Sequence, residues 1–219
     1  CVLTIGNFDG VHLGHQEILK KLVSKSKKMG LPSLVMSFSV TPETFFGRPK
    51  ARLSNFRDKH LFLESMGVDN HLLIRFNKDF SELSASSFIN QVIVKNIGVK
   101  HCFIGDDFRF GKDRLGDFSM LEGASHANDF SIEKINSVLL DGQRVSSSAI
   151  RNFLTKGDFV GAEKFLGRPF SISGKVAHGE KLGRTIGFPT ANISIHRKLS
   201  PVLGVYSVLV KLNSKTYSG

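Results

Sequence analysis

Cysteine is nearly absent: Cys1 and Cys102 are the only two, far apart and with no Cys/His set around them. That excludes a disulfide scaffold and a zinc knuckle and favours a reducing compartment, taken here as the cytoplasm. No apolar run approaches the roughly 18 residues of a bilayer span, so no membrane helix and no membrane partner are expected. The chain opens on Cys1, already inside an apolar run, with no signal peptide, and stops at Gly219 just after an alternating run. Both ends read as cuts, and part of a site is expected outside the chain. Acids are scarce too, 19 against 30 Lys and Arg, for a net charge of +11. From Pro169 onward, Glu180 stands alone against seven basic residues. Such an excess favours a phosphate-rich partner, either nucleotide or nucleic acid. No RNA-recognition strand signature and no helix-turn-helix pattern occurs, so specific nucleic-acid binding is not expected.

What is present is ordinary globular chain, 41% hydrophobic and 22% charged over 219 residues, enough to bury a core. Val2–Ile5 reads as a buried strand. Gln16–Met29 reads as a helix with Ile18, Leu19, Leu22, Val23 and Met29 inward, stopped by Gly30. Ser33–Phe38, His71–Phe76 and Val99–Ile104 read as strands, and Ile132–Leu140 as extended. Ser54 is expected to cap a helix to Met66. Ser84–Ile97 and Ser147–Leu154 read as further helices, the former with Phe88, Ile89, Val92, Ile93 and Ile97 inward. Strands alternating with helices predict an α/β fold with a mostly parallel sheet, whose ligands bind at the carboxyl ends of the strands. Three polar loops follow strands, at 6–15, 105–116 and 141–148, and are expected to converge on one crevice. The composition shifts near Phe170 to alternating runs at Ile172–Val176 and Val205–Leu212. A boundary is therefore placed at Arg168-Pro169, giving a domain over 1–168 and a second, all-β one over 169–219.

Gly6-Asn7-Phe8-Asp9-Gly10-Val11-His12-Leu13-Gly14-His15 joins the first strand to the first helix. Composition alone would supply only about 0.03 accidental His-x-Gly-His matches. The unpaired N–H groups and positive dipole at the helix start welcome an anion, Gly14 allows close approach, and the two imidazoles can donate to phosphoryl oxygens. A zinc site lacks a third ligand. In Arg144-Val145-Ser146-Ser147-Ser148-Ala149-Ile150-Arg151, three hydroxyls open a helix and Arg151 can fork onto phosphate oxygens. Taken alone, that second pattern equally suits a plain serine cap.

Together the two elements resemble the nucleotidylyltransferases with a His-x-Gly-His motif, and 6–16 is closest to the bacterial bifunctional riboflavin kinase/FMN adenylyltransferase family. Gly105-Asp106-Asp107-Phe108-Arg109-Phe110-Gly111 resembles that family's flavin-side loop. Leu166-Gly167-Arg168-Pro169 resembles its interdomain junction, and Gly183-Arg184-Thr185-Ile186-Gly187-Phe188-Pro189-Thr190-Ala191-Asn192 its kinase signature. The resemblance implies a Rossmann-like nucleotidylyltransferase domain followed by an incomplete small β-barrel of the riboflavin kinase kind.

It also implies two reactions. In the first, FMN and ATP give FAD and pyrophosphate. His12 and His15 would stabilise the α-phosphate together with Mg²⁺ brought by ATP. Arg151, Ser146, Ser147 and Ser148 would hold the other phosphates, and Gly6, Asn7, Phe8 and Gly14 would contact the nucleotide. Asp107 and Phe108 would face the flavin, although core packing explains Phe108 equally well. In the second, ATP phosphorylates riboflavin. There Gly179, Lys181, Gly183, Arg184, Gly187, Thr190 and Asn192 would bind MgATP, with Thr190 a metal ligand. The base for that step is a glutamate expected beyond Gly219. The chain departs from the family at Phe38-Ser39-Val40-Thr41-Pro42, where an acid and a histidine are replaced. Three other readings stay open: transfer to another phosphorylated acceptor, a nucleic-acid-binding module, and a flavin- or nucleotide-binding protein without catalysis.

Overall fold

A computed structural model describes residues 1–177, 179, 185, 187, 190–195 and 199–219. A five-stranded sheet forms from β1 (Val2–Ile5), β2 (Ser33–Val40), β3 (Asn70–Arg75), β4 (His101–Gly105) and β5 (Ser131–Ile135), in the spatial order β3-β2-β1-β4-β5. Every pairing in it is parallel. β1 lies in the middle and all four of its residues are buried, which is why it reads as a continuous apolar run rather than an alternating one. Its side chains divide between two faces, as the strand's period of two requires. Leu3 and Ile5 enter one core with Met36, Cys102, Ile104, Ile93 and Leu121. Val2 enters the other with Val35, Phe103, Leu19, Leu22 and Leu63.

The helices cover these faces. α1 (Leu13–Met29) buries Leu19 and Leu22 and ends at Gly30, whose φ of 63° gives the left-handed stop. The helix starts three residues earlier than the periodicity indicates, so His15 lies inside it and His12 is its cap. Met29 is 37% exposed and not inward, being the last residue of the helix before the Gly30 stop. After the short α2 (Pro42–Phe45) comes α3 (Phe56–Ser65), capped by Asn55 and not by Ser54. The Ser54 hydroxyl instead accepts the amide of Gly10. Past α4 (Lys78–Ser81), Ser84 caps α5 (Ala85–Ser87), which continues as a π-helix over Phe88–Ile97 where a plain α-helix was expected. Phe88, Ile89 and Ile93 are its buried residues, with Val92 and Ile97 partly buried against the same core. α6 (Phe118–Ala127), α7 (Ser147–Thr155) and α8 (Phe159–Leu166) complete the set. The extended run expected over 132–140 breaks after Ile135, and its tail forms a small hairpin of β6 (Leu139–Leu140) with β7 (Gln143–Arg144).

Among the described residues beyond Pro169, the strands form two antiparallel pairs. One pairs β8 (Lys175–Ala177) with β9 (Asn192–Ser194), the other β10 (Leu209–Leu212) with β11 (Lys215–Ser218). They are shorter than the alternating runs suggest, and all but Ser194 of their residues are exposed. Phe170 and Val202 pack on a third core made by α7 and α8 around Ile150, Leu154 and Leu166. No helix of the described residues is long and apolar enough to cross a membrane.

In a 3-2-1-4-5 sheet the chain leaves β1 toward β2 on one side and later returns to β4 on the other. The loops after β1 and β4 diverge there and open a crevice at the carboxyl end of the sheet. Since Leu22 is wholly buried and Met29 is not, Leu22→Ala should cost about 2–5 kcal/mol of unfolding free energy and Met29→Ala under about 0.5 kcal/mol. Urea denaturation of the two variants measures the difference, and similar costs would contradict the exposure of Met29.

Candidate active site

At that crevice lies a cavity of about 380 Å³ on which all three expected loops converge. Its walls include Gly6 to Asp9, His12, Gly14 and His15 from the loop after β1. Gly105 to Arg109 come from the loop after β4, and Arg144 to Ser148 with Arg151 from the turn into α7. Thr41, Lys50 and Arg52 close one side.

The loop after β1 is contorted. Phe8, Gly10 and Val11 have φ of 48°, 78° and 39°, in the left-handed region where a β-branched residue such as Val11 is strained. Bonds from distant elements hold it. The Asp9 carboxylate accepts the amides of Leu53 and Ser54 at 3.0 and 3.2 Å and the Arg151 Nη2 at 2.5 Å. Ser147 Oγ donates to the Asp9 carbonyl at 2.9 Å, and Lys59 Nζ to the Asn7 carbonyl at 2.8 Å. Gly10 has a reason besides its φ, because a side chain there would meet Leu53 and Leu166.

The contorted loop delivers two imidazoles. His12 caps α1, its Nδ1 accepting the amide of His15 at 3.4 Å. That bond fixes the tautomer, so the proton is on Nε2. The two rings stack with centroids 3.7 Å apart and 18° between planes. A Cβ at Gly14 would come within 3.2 Å of the His12 ring, so glycine here makes room for the imidazole itself. Phe8 lines the cavity but its ring is only 1% exposed, packed on His15 with centroids 4.9 Å apart.

Electrostatics keep both rings neutral. Burial lowers the His12 pKa to about 4, with Arg144 and Arg151 adding to the effect and Asp9 opposing it. His15 lies well below its usual value through burial, then its neighbour His12, then Lys59. Two stacked cations would repel, so neutrality is also what lets the rings lie together. The His15 Nδ1 is buried without a hydrogen-bond partner among the described residues.

The serine turn divides its tasks. Ser146 Oγ caps α7 by accepting the amide of Ala149, Ser147 holds the Asp9 carbonyl, and Ser148 is exposed. Arg151 uses Nε on the Ala51 carbonyl and Nη2 on Asp9, and Nη1 has no partner among the described residues. On the far wall Asp107 pairs with Arg144 at 2.7 Å, and Phe108 stacks on Phe110 with centroids 5.6 Å apart. Thr41, standing where the family pattern has a histidine, caps α2 by accepting the amide of Thr44.

Sequence reasoning passed over Asp9 and Lys59. Asp9 looked like an ordinary turn residue. Lys59 is only 8% exposed, and burial brings its ammonium down to about 8 against the pull of Asp9. One signal was available: Lys59 stands four residues before Leu63, on the buried stripe of α3, where a cation needs a purpose.

Of the kinase-side residues, Lys181, Gly183 and Arg184 lie outside the described residues. Thr190 and Asn192 are exposed, with Asn192 opening β9. Any side chain at Gly179 would run into the Asn192 amide, which brings those two positions together; Gly187 has a left-handed φ of 81°.

Two family models match the chain: FAD synthetase over residues 1–149 and riboflavin kinase over residues 166–219. Bifunctional riboflavin kinase/FMN adenylyltransferases are among its relatives. That of Haemophilus influenzae is 50% identical over 98% of this chain and 70% of its own length. That of Escherichia coli is 47% identical over 96% and 68%, and that of Pseudomonas fluorescens 45% over 100% and 71%. A crystal structure described as a macrolide-efflux protein from Streptococcus pneumoniae superposes with a TM-score of 0.82 at 30% identity, covering 99% of this chain and 71% of that one. The geometry of the His12–His15 cavity and these likenesses lead to one conclusion: the chain belongs to the bifunctional riboflavin kinase/FMN adenylyltransferase family.

Proposed function

We propose that the cavity transfers the adenylyl group of ATP to FMN, giving FAD and pyrophosphate. The observation that carries this reading is the stacked, neutral His12–His15 pair at the start of α1, inside a cavity that also takes the loop after β4 and the serine turn. A phosphate oxygen of FMN forms the new bond to the α-phosphorus as the bond to the β-phosphate oxygen breaks. The nucleophile is already ionised, so no strong base is required; positioning and charge stabilisation do the chemistry. His12 donates through Nε2–H toward the α-phosphate, and His15 offers a buried nitrogen in want of a partner. Gly6, Asn7, Phe8 and Gly14 border the nucleotide. Ser146, Ser148 and Arg151 Nη1 receive the leaving phosphates, with Ser147 holding the loop after β1 through the Asp9 carbonyl, while Asp107 and Phe108 face the flavin.

Mg²⁺ fits as part of its substrate, MgATP, offsetting triphosphate charge. The cavity carboxylates of Asp9, Asp106 and Asp107 are each already bonded to a cation or an amide, and that of Glu43 lies 4.0 Å from the Lys50 ammonium, so the ion would be held by phosphate oxygens, hydroxyls and water. The reading divides the chain into a Rossmann-like unit over 1–168 and, over 169–219, part of a small barrel that phosphorylates riboflavin. In the latter, Gly179, Lys181, Gly183, Arg184, Gly187, Thr190 and Asn192 hold MgATP, with Thr190 on the metal. Two free thiols and dependence on ATP suit the cytoplasm.

Incubation with MgATP and FMN, followed by chromatography of the flavins, should yield FAD; unchanged FMN would reject the proposal. In His15→Ala, kcat for FAD formation should fall about 100- to 1000-fold with little change in ATP binding. Equal losses in the two would mean that His15 only binds the ground state.

Stability should depend on pH with a definite sign. Folded, His12 and His71 stay neutral down to about pH 4. Unfolded, they take up protons below about pH 6.5. The folded chain is therefore most favoured above that value and loses stability as pH falls toward 4. Urea midpoints across this window should drop, and drop less in His12→Gln; identical slopes would assign the loss to other groups.

A further inference from the structure

The strained turn ahead of His12 presents carbonyls that no helix or strand satisfies. Arg168 reaches them from the far end of the unit, its Nη2 donating to the Gly10 carbonyl at 2.7 Å and its Nη1 to that of Val11 at 3.2 Å. The same Nη1 lies 3.3 Å from the Leu166 carbonyl. Gln16, one turn into α1, repeats the pattern with Nε2 at 2.9 Å from both the Val11 and Leu166 carbonyls. The guanidinium lies over the Phe62 ring of α3, 4.1 Å from its centroid. Just beyond, Asn55 Nδ2 donates to the Ser173 carbonyl and Ser173 Oγ to Asp58, so the chain leaving Arg168 is fastened to the start of α3.

We propose that Arg168 is a positioning residue for adenylyl transfer, holding the Gly10–Val11 turn, and through it the His12 cap, against the point where the chain departs for residues 169–219. This rests on the adenylylation reading of the cavity. The physical case is the turn's strain. A left-handed valine persists only where its surroundings over-determine it, and two of the carbonyls that define the turn take their donors from Arg168 and Gln16. A planar fork stacked on an aromatic face can serve both carbonyls at once, whereas an ammonium is a single point of charge. Arg168 touches no substrate; it acts on His12 through three residues of backbone. A displacement of the chain after Pro169 would therefore be felt at the imidazole pair.

Arg168→Lys keeps the charge and loses the fork. Its kcat for FAD formation should fall about tenfold or more, with KM for ATP within about twofold. The amide resonance of His15, which His12 Nδ1 accepts, should shift in the NMR spectrum. An unchanged kcat and an unmoved His15 amide would overturn the inference, as would a loss confined to KM. Should this variant fail to fold by circular dichroism, Gln16→Met carries the same test and should show the same signs at smaller size; wild-type behaviour there overturns the inference. If the unsubstituted protein makes no FAD, the adenylylation reading falls and this inference with it. Activity in the unsubstituted protein with none of these changes in the variants removes this inference alone.

Discussion

A single carboxylate organises the cavity. Asp9 sits between the loop after β1, the turn before α3 and the side of α7, accepting two amides and a guanidinium. Ser54, Lys59, Ser147 and Arg151 each join two of those elements, and the Asp9 carboxylate joins all three at one group. Both partners of the Asp9–Arg151 pair are largely shielded, with side-chain exposures of 13% and 20%. A pair in that setting adds little net stability over a well-packed apolar one, but losing one partner strands the other's charge, at about 3–5 kcal/mol. The arrangement therefore selects one loop geometry more than it stabilises the fold, and the strain at Phe8 and Val11 is tolerated because Asp9 leaves the loop no alternative.

The same shielding sets the chemistry. Enclosure deprives the imidazoles of water and drives them neutral, and three cations close by, Arg144, Arg151 and Lys59, push in the same direction. A cationic surround with uncharged histidines at its centre suits an incoming triphosphate. Fixed positive charges favour an anion, and a neutral imidazole can donate a hydrogen bond without losing its charge state. Lys59 contributes from beneath, on the carbonyl of Asn7, where it holds backbone and field together.

Much of this was legible in the sequence, for physical reasons that differ from element to element. β1, α1 and β4 announce themselves because burial on both sides, or along one stripe, leaves a strong period. The His-x-Gly-His spacing is local, so its two rings could be foreseen beside one anion even though their stacking could not. Misreadings arose where a residue's partner is remote. Ser54 looked like a cap because serine usually is one, yet its hydroxyl serves Gly10, and Asn55 took the cap. Met29 matched the helical period but is the last residue before the Gly30 stop. The π-helix over Phe88–Ile97 leaves no mark in composition. Asp9 and Arg168 were unreadable as structural members, since one partner of each, Arg151 and Gly10, lies more than 140 residues away in the chain.

That separation has a consequence for how the protein is made. Synthesis proceeds from the amino terminus, so the loop that carries His12 and His15 leaves the ribosome before the residues that fasten it. Its fasteners at Arg151 and Arg168 follow only after nearly the whole unit has been translated. Until then the turn lacks the bonds that oppose its strain. A chain ending before Arg168 lacks that residue's donors to the Gly10 and Val11 carbonyls, so the setting of this turn waits on the far end of the unit and is not acquired gradually along it.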